Sequence, residues 1–319
     1  MKITVIGCGR WGSLITWYLD RMGHEVTLYG RAESAHMKRF LETRSNDLLT
    51  LSPSVRLSTD LSVVTECETL IVSIGSQGLR SLMQNELAPL KLCDKTVVLC
   101  MKGIEIATGK RLSEVVEETL DPSNRVAVWL GPGHVQEFYA GIPNCMVIDS
   151  LDETVKQRLV DAFSGELIRF YYGQDLIGNE IGAAAKNVVG IAAGFLDGMK
   201  LSTLKGALMS RGTREIARLI EAMGGNPVSA YGLCHLGDYE ATVFSPYSHN
   251  RKFGECFIRG EEFDSLAEGY YTVAALHGLA KTYSVELPIC EAIYRVLYEK
   301  ADFHIEMDAL FHRSLKNEF

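Results

Sequence analysis

Short apolar runs separated by helical stretches fill the first half of the chain, and this rhythm restricts the fold more than any other feature. The runs cover residues 2–6, 25–29, 69–74, 96–100, 126–130 and 145–148, while stretches such as 78–87 and 110–119 carry apolar residues at helical spacing. Parallel neighbours need a crossover between them, so strand–helix alternation implies a parallel sheet with helices on its faces. A further strand at 167–171 is expected to close it. After Tyr172-Gly173 the strand signals stop, and helical periods take over at 175–197, 203–223, 265–284 and 288–299. Gly224-Gly225-Asn226-Pro227 is a clear stop between two of these. The expectation is an α/β domain over 1–173 followed by an all-α C-terminal domain over 174–319.

The turn after the first run reads Gly7-Cys8-Gly9-Arg10-Trp11-Gly12, and Leu14, Ile15, Tyr18, Leu19 and Met22 mark the helix that follows. In such a turn the first glycine allows the sharp bend, the second lets a pyrophosphate approach, and the third lets helix and strand pack closely. Exposed amides and the positive helix end would face the anion. The N-terminal domain is therefore expected to be a Rossmann-type doubly wound parallel sheet, with Gly7, Gly9 and Gly12 binding a dinucleotide. An NAD-binding fold of this kind places an acid after the second strand, about 20 residues on. Here Gly30-Arg31 stands there instead. An arginine suits a 2′-phosphate, so the expected cofactor is NADP, with NADPH preferred and NAD left open. A solvated loop arginine is the plain alternative.

Composition narrows the partners. Of 319 residues, 47% are hydrophobic and 23% charged, as in an ordinary globular protein, and a net charge of −8 argues against nucleic acid. The eight cysteines are scattered without a Cys-x-x-Cys pair, which fits reduced thiols and no metal site. No run is long enough for a membrane span, and the first strand begins too early to leave room for a signal peptide, so the expected location is cytoplasmic. The sequence leaves a homodimer open.

Ligands of open parallel sheets bind beyond the carboxyl ends of the strands. Lys102 follows a wholly apolar strand, and Gly131-Pro132-Gly133-His134 follows another. Two further stretches carry chemistry. The helix at 176–197 is rich in Ala and Gly, which lets backbone or ligand approach closely, yet it holds Asn179, Glu180, Lys186 and Asn187. Lys186 could pair with Glu180 or another buried acid, or it could be a desolvated proton donor beside a carbonyl. Residues 235–254 form a polar stretch, read as a loop, suited to a phosphate or polyol; it contains Asp238, Thr242, Ser245, Ser248, His249, Asn250, Arg251 and Lys252.

GCGRWG, MKGIE at 101–105, GNEIGAAAKNVVGIAAG at 178–194, GD at 237–238 and SHNRKFG at 248–254 occur in this order. Together they resemble the NAD(P)-dependent glycerol-3-phosphate dehydrogenase family over nearly the whole chain. The resemblance implies hydride transfer between NAD(P)H and dihydroxyacetone phosphate, a small phosphorylated ketone, with Lys186 as proton donor and acceptor. It also implies that Lys102, Gly131, Asp238, Ser248 and Asn250 touch the substrate, and that Trp11, Arg31, Val135 and Glu268 touch the cofactor. Three positions depart from the family pattern: His249 replaces an arginine, Gly133 a Ser or Thr, and Ser265 a Gln. His249 in the substrate loop would make the grip on a phosphate depend on pH, because a histidine loses near pH 6.5 the charge an arginine keeps. These departures leave open a related dehydrogenase of another small ketone or hydroxy acid. A non-catalytic NADPH sensor is a more distant third.

Overall fold

The computed structural model describes residues 1–315, 317 and 318. The chain divides into two compact units, 1–102 with 110–180, and 103–109 with 181 onward.

The first unit is built on an eight-stranded sheet. Its elements are β1 (Lys2–Ile6), α1 (Arg10–Arg21), β2 (Glu25–Tyr29), α2 (Ala35–Thr43), β3 (Arg56–Ser58), β4 (Thr69–Val72), α3 (Leu79–Ser81, continuing as a π-helical turn Leu82–Leu87), β5 (Thr96–Leu99), α4 (Leu112–Thr119), β6 (Arg125–Leu130), α5 (Val135–Tyr139), β7 (Asn144–Asp149), α6 (Glu153–Phe163) and β8 (Ile168–Tyr172). The strand order is β3-β2-β1-β4-β5-β6-β7-β8. The sheet pairs as expected through β6, with Ile3 beside both Val26 and Thr69. There the expectation of a wholly parallel sheet needs correcting: β7 runs antiparallel to β6, and β8 runs parallel to β7. The reason is length. At 1.5 Å per residue the five residues of α5 rise only about 7 Å, whereas a six-residue strand extends about 20 Å. α5 cannot carry the chain back for a parallel return, so β7 starts near where β6 ends.

Below the sheet, Trp129 is 1% exposed and packs edge-on to Phe170 and Tyr18. Its Nε1 donates to Met146 Sδ at 3.1 Å.

The division between the units falls within α7 (Leu176–Gly198); α8 (Lys205–Ala222), α9 (His249–Arg259), α10 (Glu268–Thr282), α11 (Pro288–Tyr298) and α12 (Phe303–Phe311) follow. The Gly/Ala richness of α7 serves a neighbouring backbone. A Cβ on Gly194 would lie 2.0 Å from the carbonyl oxygen of Arg251, and one on Gly254 would lie 2.2 Å from that of Ile191. α9 itself is a second correction, because residues 249–254 were expected in a loop. Ser248 caps this helix, its Oγ accepting from the Arg251 amide at 3.3 Å. The polar residues of the first turn hid the apolar spacing of Phe253, Cys256 and Phe257.

Candidate active site

In the first unit, the β1–α1 turn separates structural glycines from one without a structural role. Gly7 has φ +113°, and a Cβ there would sit 2.0 Å from the Ser73 carbonyl oxygen; at Gly12 it would sit 1.9 Å from that of Gly7. Both are required by the chain's own packing. A Cβ on Gly9 meets nothing within 4 Å, so no protein atom explains that glycine. Gly9 is the N-cap of α1 and offers no side chain to the first amides of the helix. Trp11, packed against Phe138 at 6.1 Å, has a buried Nε1–H with no acceptor among the described residues. An open cradle at a helix N-terminus with an unmet donor in its first turn fits a dinucleotide.

Position 30 is closed to an acid for a steric reason. A Cβ there would lie 2.8 Å from Cys8 Sγ and 2.9 Å from Met37 Cβ. A carboxylate nevertheless reaches Arg31 from elsewhere: Glu86, on the π-helical turn after α3, accepts from Arg31 Nη2 at 2.7 Å. No local pattern of residues marks this pairing across 55 positions.

Two expected substrate residues meet beyond β5 and β6, where Lys102 Nζ donates to the Gly131 carbonyl oxygen at 2.5 Å. Gly133 has φ +138°, and its Cβ would lie 2.2 Å from the Phe138 ring. The missing hydroxyl at 133 is thus tied to an aromatic side chain that fills its place. Val135 is buried as the first residue of α5.

In the second unit, Lys186 Nζ lies 3.0 Å from Asp238 Oδ2 and donates to Thr242 Oγ1 at 2.8 Å. Lys186 is 9% exposed and Asp238 1%. Pairing of Lys186 with Glu180 is excluded. Glu180 receives Arg111 Nη1 at 2.7 Å, the Ser113 amide at 3.0 Å and Ser113 Oγ at 2.6 Å. Burial pushes its carboxyl above the usual range in spite of those partners. Asp238 ends a 3-10 turn (Leu236–Asp238), and Thr242 lies in a π-helical turn (Glu240–Phe244). Next to Lys186, Asn187 Oδ1 accepts from Asn250 Nδ2 at 3.0 Å, and Asn250 Oδ1 accepts from the Gly269 amide at 2.9 Å. This chain ties α7, α9 and the first turn of α10, which begins at Glu268. His249, the first residue of α9, touches the Phe263 ring edge-on at 6.2 Å. Beside it, Arg251 is anchored, its Nη1 by Asp197 at 2.7 Å and its Nε by the Ser245 carbonyl oxygen at 3.2 Å.

Sequence reasoning missed His235 and Tyr239, four residues apart and flanking Asp238. His235 Nδ1 lies 2.8 Å from the Gly182 carbonyl oxygen, and Nε2 lies 2.7 Å from the Tyr239 hydroxyl. A carbonyl only accepts, so Nδ1 carries the hydrogen and Nε2 accepts from the tyrosine. Burial lowers the pKa of His235 from 6.5 to about 4. The unfolded chain takes up this proton first, so the stability contribution is complete above pH 6.5 and lost as pH falls toward 4. Glu215, which accepts from the Ile289 and Cys290 amides at 2.9 Å each, is pushed by burial from 4.5 up to about 7. Its sign is opposite: the folded state holds the proton longer, so stability is lost as pH rises from 4.5 through 7. In chemical unfolding, the stability difference between wild type and His235→Leu is expected to shrink by about 3 kcal/mol from pH 6.5 to 4. That between wild type and Glu215→Gln should shrink in the other direction, from pH 4.5 to 7. Differences that do not vary with pH would show that neither group changes its titration on folding.

Among the described residues no helix is long and apolar enough to cross a membrane, and no group of acidic, His or Cys side chains could hold a metal ion. The family model for the N-terminus of NAD-dependent glycerol-3-phosphate dehydrogenase matches residues 2–156, and that for its C-terminus matches 175–308. A glycerol-3-phosphate dehydrogenase (NAD(P)+) from Salinibacter ruber is 36% identical over 332 residues, covering 99% of this chain and 96% of the relative. One from Thermoanaerobacter sp. is 34% identical, covering 100% and 99%. The crystal structure of glycerol-3-phosphate dehydrogenase from Coxiella burnetii superposes with a TM-score of 0.90 at 28% identity, covering 98% of this chain and 99% of that one. D-mandelate dehydrogenase with NADH, at 16% identity and a TM-score of 0.63, shares the fold alone. The chain belongs to the NAD-dependent glycerol-3-phosphate dehydrogenase family.

Proposed function

We propose that this enzyme interconverts dihydroxyacetone phosphate and sn-glycerol 3-phosphate, with Lys186 as proton donor in reduction and proton acceptor in oxidation. The observation that carries the proposal is the buried Lys186–Asp238–Thr242 cluster. A bound nicotinamide supplies or receives the hydride. Reduction of the ketone also needs a proton on its oxygen, and Lys186 has one to give. Asp238 balances the charge of the buried ammonium, and Thr242 fixes its direction, so the proton is aimed before substrate arrives. The dinucleotide would be held by the amides around Gly7, Gly9 and Gly12 and by Trp11, Arg31, Val135 and Glu268, with NADPH preferred through Arg31.

Lys102, Gly131, Ser248, His249 and Asn250 would receive the substrate. The Asn250 side-chain amide already holds helices together, Oδ1 accepting and one Nδ2 hydrogen donating, which leaves the other Nδ2 hydrogen for a ligand. His249 would supply charge to the phosphate end only when protonated.

Initial rates with dihydroxyacetone phosphate and with unphosphorylated dihydroxyacetone, using NADPH and NADH side by side, test this reading. Turnover is expected with the phosphate ester and both cofactors. The KM should fall as pH drops from 7.5 toward 6.5, until protonation of the phosphate itself, near pH 6, offsets the gain. Turnover of another small ketone in place of dihydroxyacetone phosphate would move the enzyme to a different substrate.

A further inference from the structure

We infer that Glu86 is a specificity-determining residue: its carboxylate, placed on Arg31 at the end of β2, tempers the preference for NADPH and admits NADH. This rests on the reading of Arg31 as the group that meets the adenine-ribose 2′ position.

The local position for a ribose-binding acid is closed, since a side chain at 30 would run into Cys8 and Met37. Glu86 brings a carboxylate to the same strand end from another element, 55 residues along the chain from Arg31. Its backbone is well anchored, because Leu82, Met83 and Leu87 of the same π-helical turn are buried. The side chains of Arg31 and Glu86 are 60% and 27% exposed, so the pair is open to a ligand and to exchange of partners. Burial first, and then this same carboxylate, raises the pKa of Tyr29, the last residue of β2.

Two consequences follow for a dinucleotide. A 2′-phosphate must draw Arg31 away from Glu86 and then lie beside a second negative charge. A free ribose 2′-hydroxyl can instead donate to Glu86, which is what the acid of an NAD-binding fold ordinarily does. One pair thus supplies a cation for one cofactor and a carboxylate for the other. The exposure of both groups keeps the effect modest.

Equilibrium binding of NADPH and of NADH to the whole protein, followed by nicotinamide fluorescence, tests the inference in wild type, Glu86→Gln, Glu86→Asp and Arg31→Ala. Glu86→Gln should tighten NADPH about threefold and weaken NADH about threefold, moving the ratio about tenfold toward NADPH. Glu86→Asp keeps the charge but draws it back by one methylene, and should fall between wild type and Glu86→Gln. Arg31→Ala should weaken NADPH with little effect on NADH. If Arg31→Ala is selective and Glu86→Gln leaves the ratio within twofold of wild type, the role of Glu86 is overturned while that of Arg31 stands. If Arg31→Ala changes both cofactors alike, the reading of Arg31 fails, and the role of Glu86 as its partner fails with it.

Discussion

Lys186→Met is expected to lower kcat for dihydroxyacetone phosphate reduction by at least 10²-fold while leaving the affinity for NADPH within about twofold. Positioned proton transfer contributes typically about 10²- to 10⁴-fold, and no other amine in the second unit shares the Asp238–Thr242 environment among the described contacts. Methionine keeps most of the length and the apolar stem of lysine, so the buried volume at this position of α7 is retained. It leaves Asp238 as a buried carboxylate without its ammonium, which costs stability. A Lys186→Met/Asp238→Asn double variant removes that charge and should fold better without regaining turnover. Retention of more than about a tenth of wild-type kcat in Lys186→Met would assign the proton to another group.

Gly194→Ala should destabilise the second unit by about 3 kcal/mol, the larger end of what an added methyl costs in a filled interior. Its Cβ would fall 2.0 Å from the Arg251 carbonyl oxygen and 2.7 Å from the Glu255 amide nitrogen, both backbone atoms of α9 that cannot rotate away. The helix would have to move, carrying Asn250 from Asn187 and His249 from Phe263. Gly278→Ala is the matched control in α10. A Cβ there meets nothing within 4 Å, and alanine favours a helix over glycine by about 0.5–1 kcal/mol, so this variant should gain stability. Urea unfolding of the two proteins beside wild type reads both signs. Equal stability of Gly194→Ala and wild type would mean that α7 and α9 do not meet at this glycine.

What the sequence disclosed follows from how each feature is encoded. The central strands lie in unbroken apolar runs because both faces of the sheet are covered, and the β1–α1 turn carries three glycines in one window. Strand direction has no such signature. β7 carries an apolar run like those of the parallel strands β4 to β6, and only the brevity of α5 betrays the reversal. β3 is three residues long with two of them polar, and α2 buries only Met37 and Phe40, so neither rises above its surroundings. The candidate residues stand out one by one in the sequence, but their pairings do not. Asp238 and Thr242 meet Lys186 from 52 and 56 positions away, a separation no local pattern records. The sequence left Glu180 or another buried acid open as its partner, and Glu180 belongs to Arg111 and Ser113. The glycine turn shows the same limit: its three glycines look alike in the sequence, yet Gly7 and Gly12 answer to neighbouring backbone and Gly9 to nothing in the protein.

The reversal of β7 and β8 has a practical consequence for labelling the molecule. The turn after β7 opens on the edge of the sheet where β6 begins, opposite the edge that bears the glycine turn and Lys102. Leu151 sits in that turn with 78% of its surface exposed, about 20 Å, one strand's length, from the loops at the carboxyl ends of the parallel strands. A cysteine-coupled fluorophore or a surface tether at this position would report on the first unit without obstructing the edge where the dinucleotide is proposed to bind.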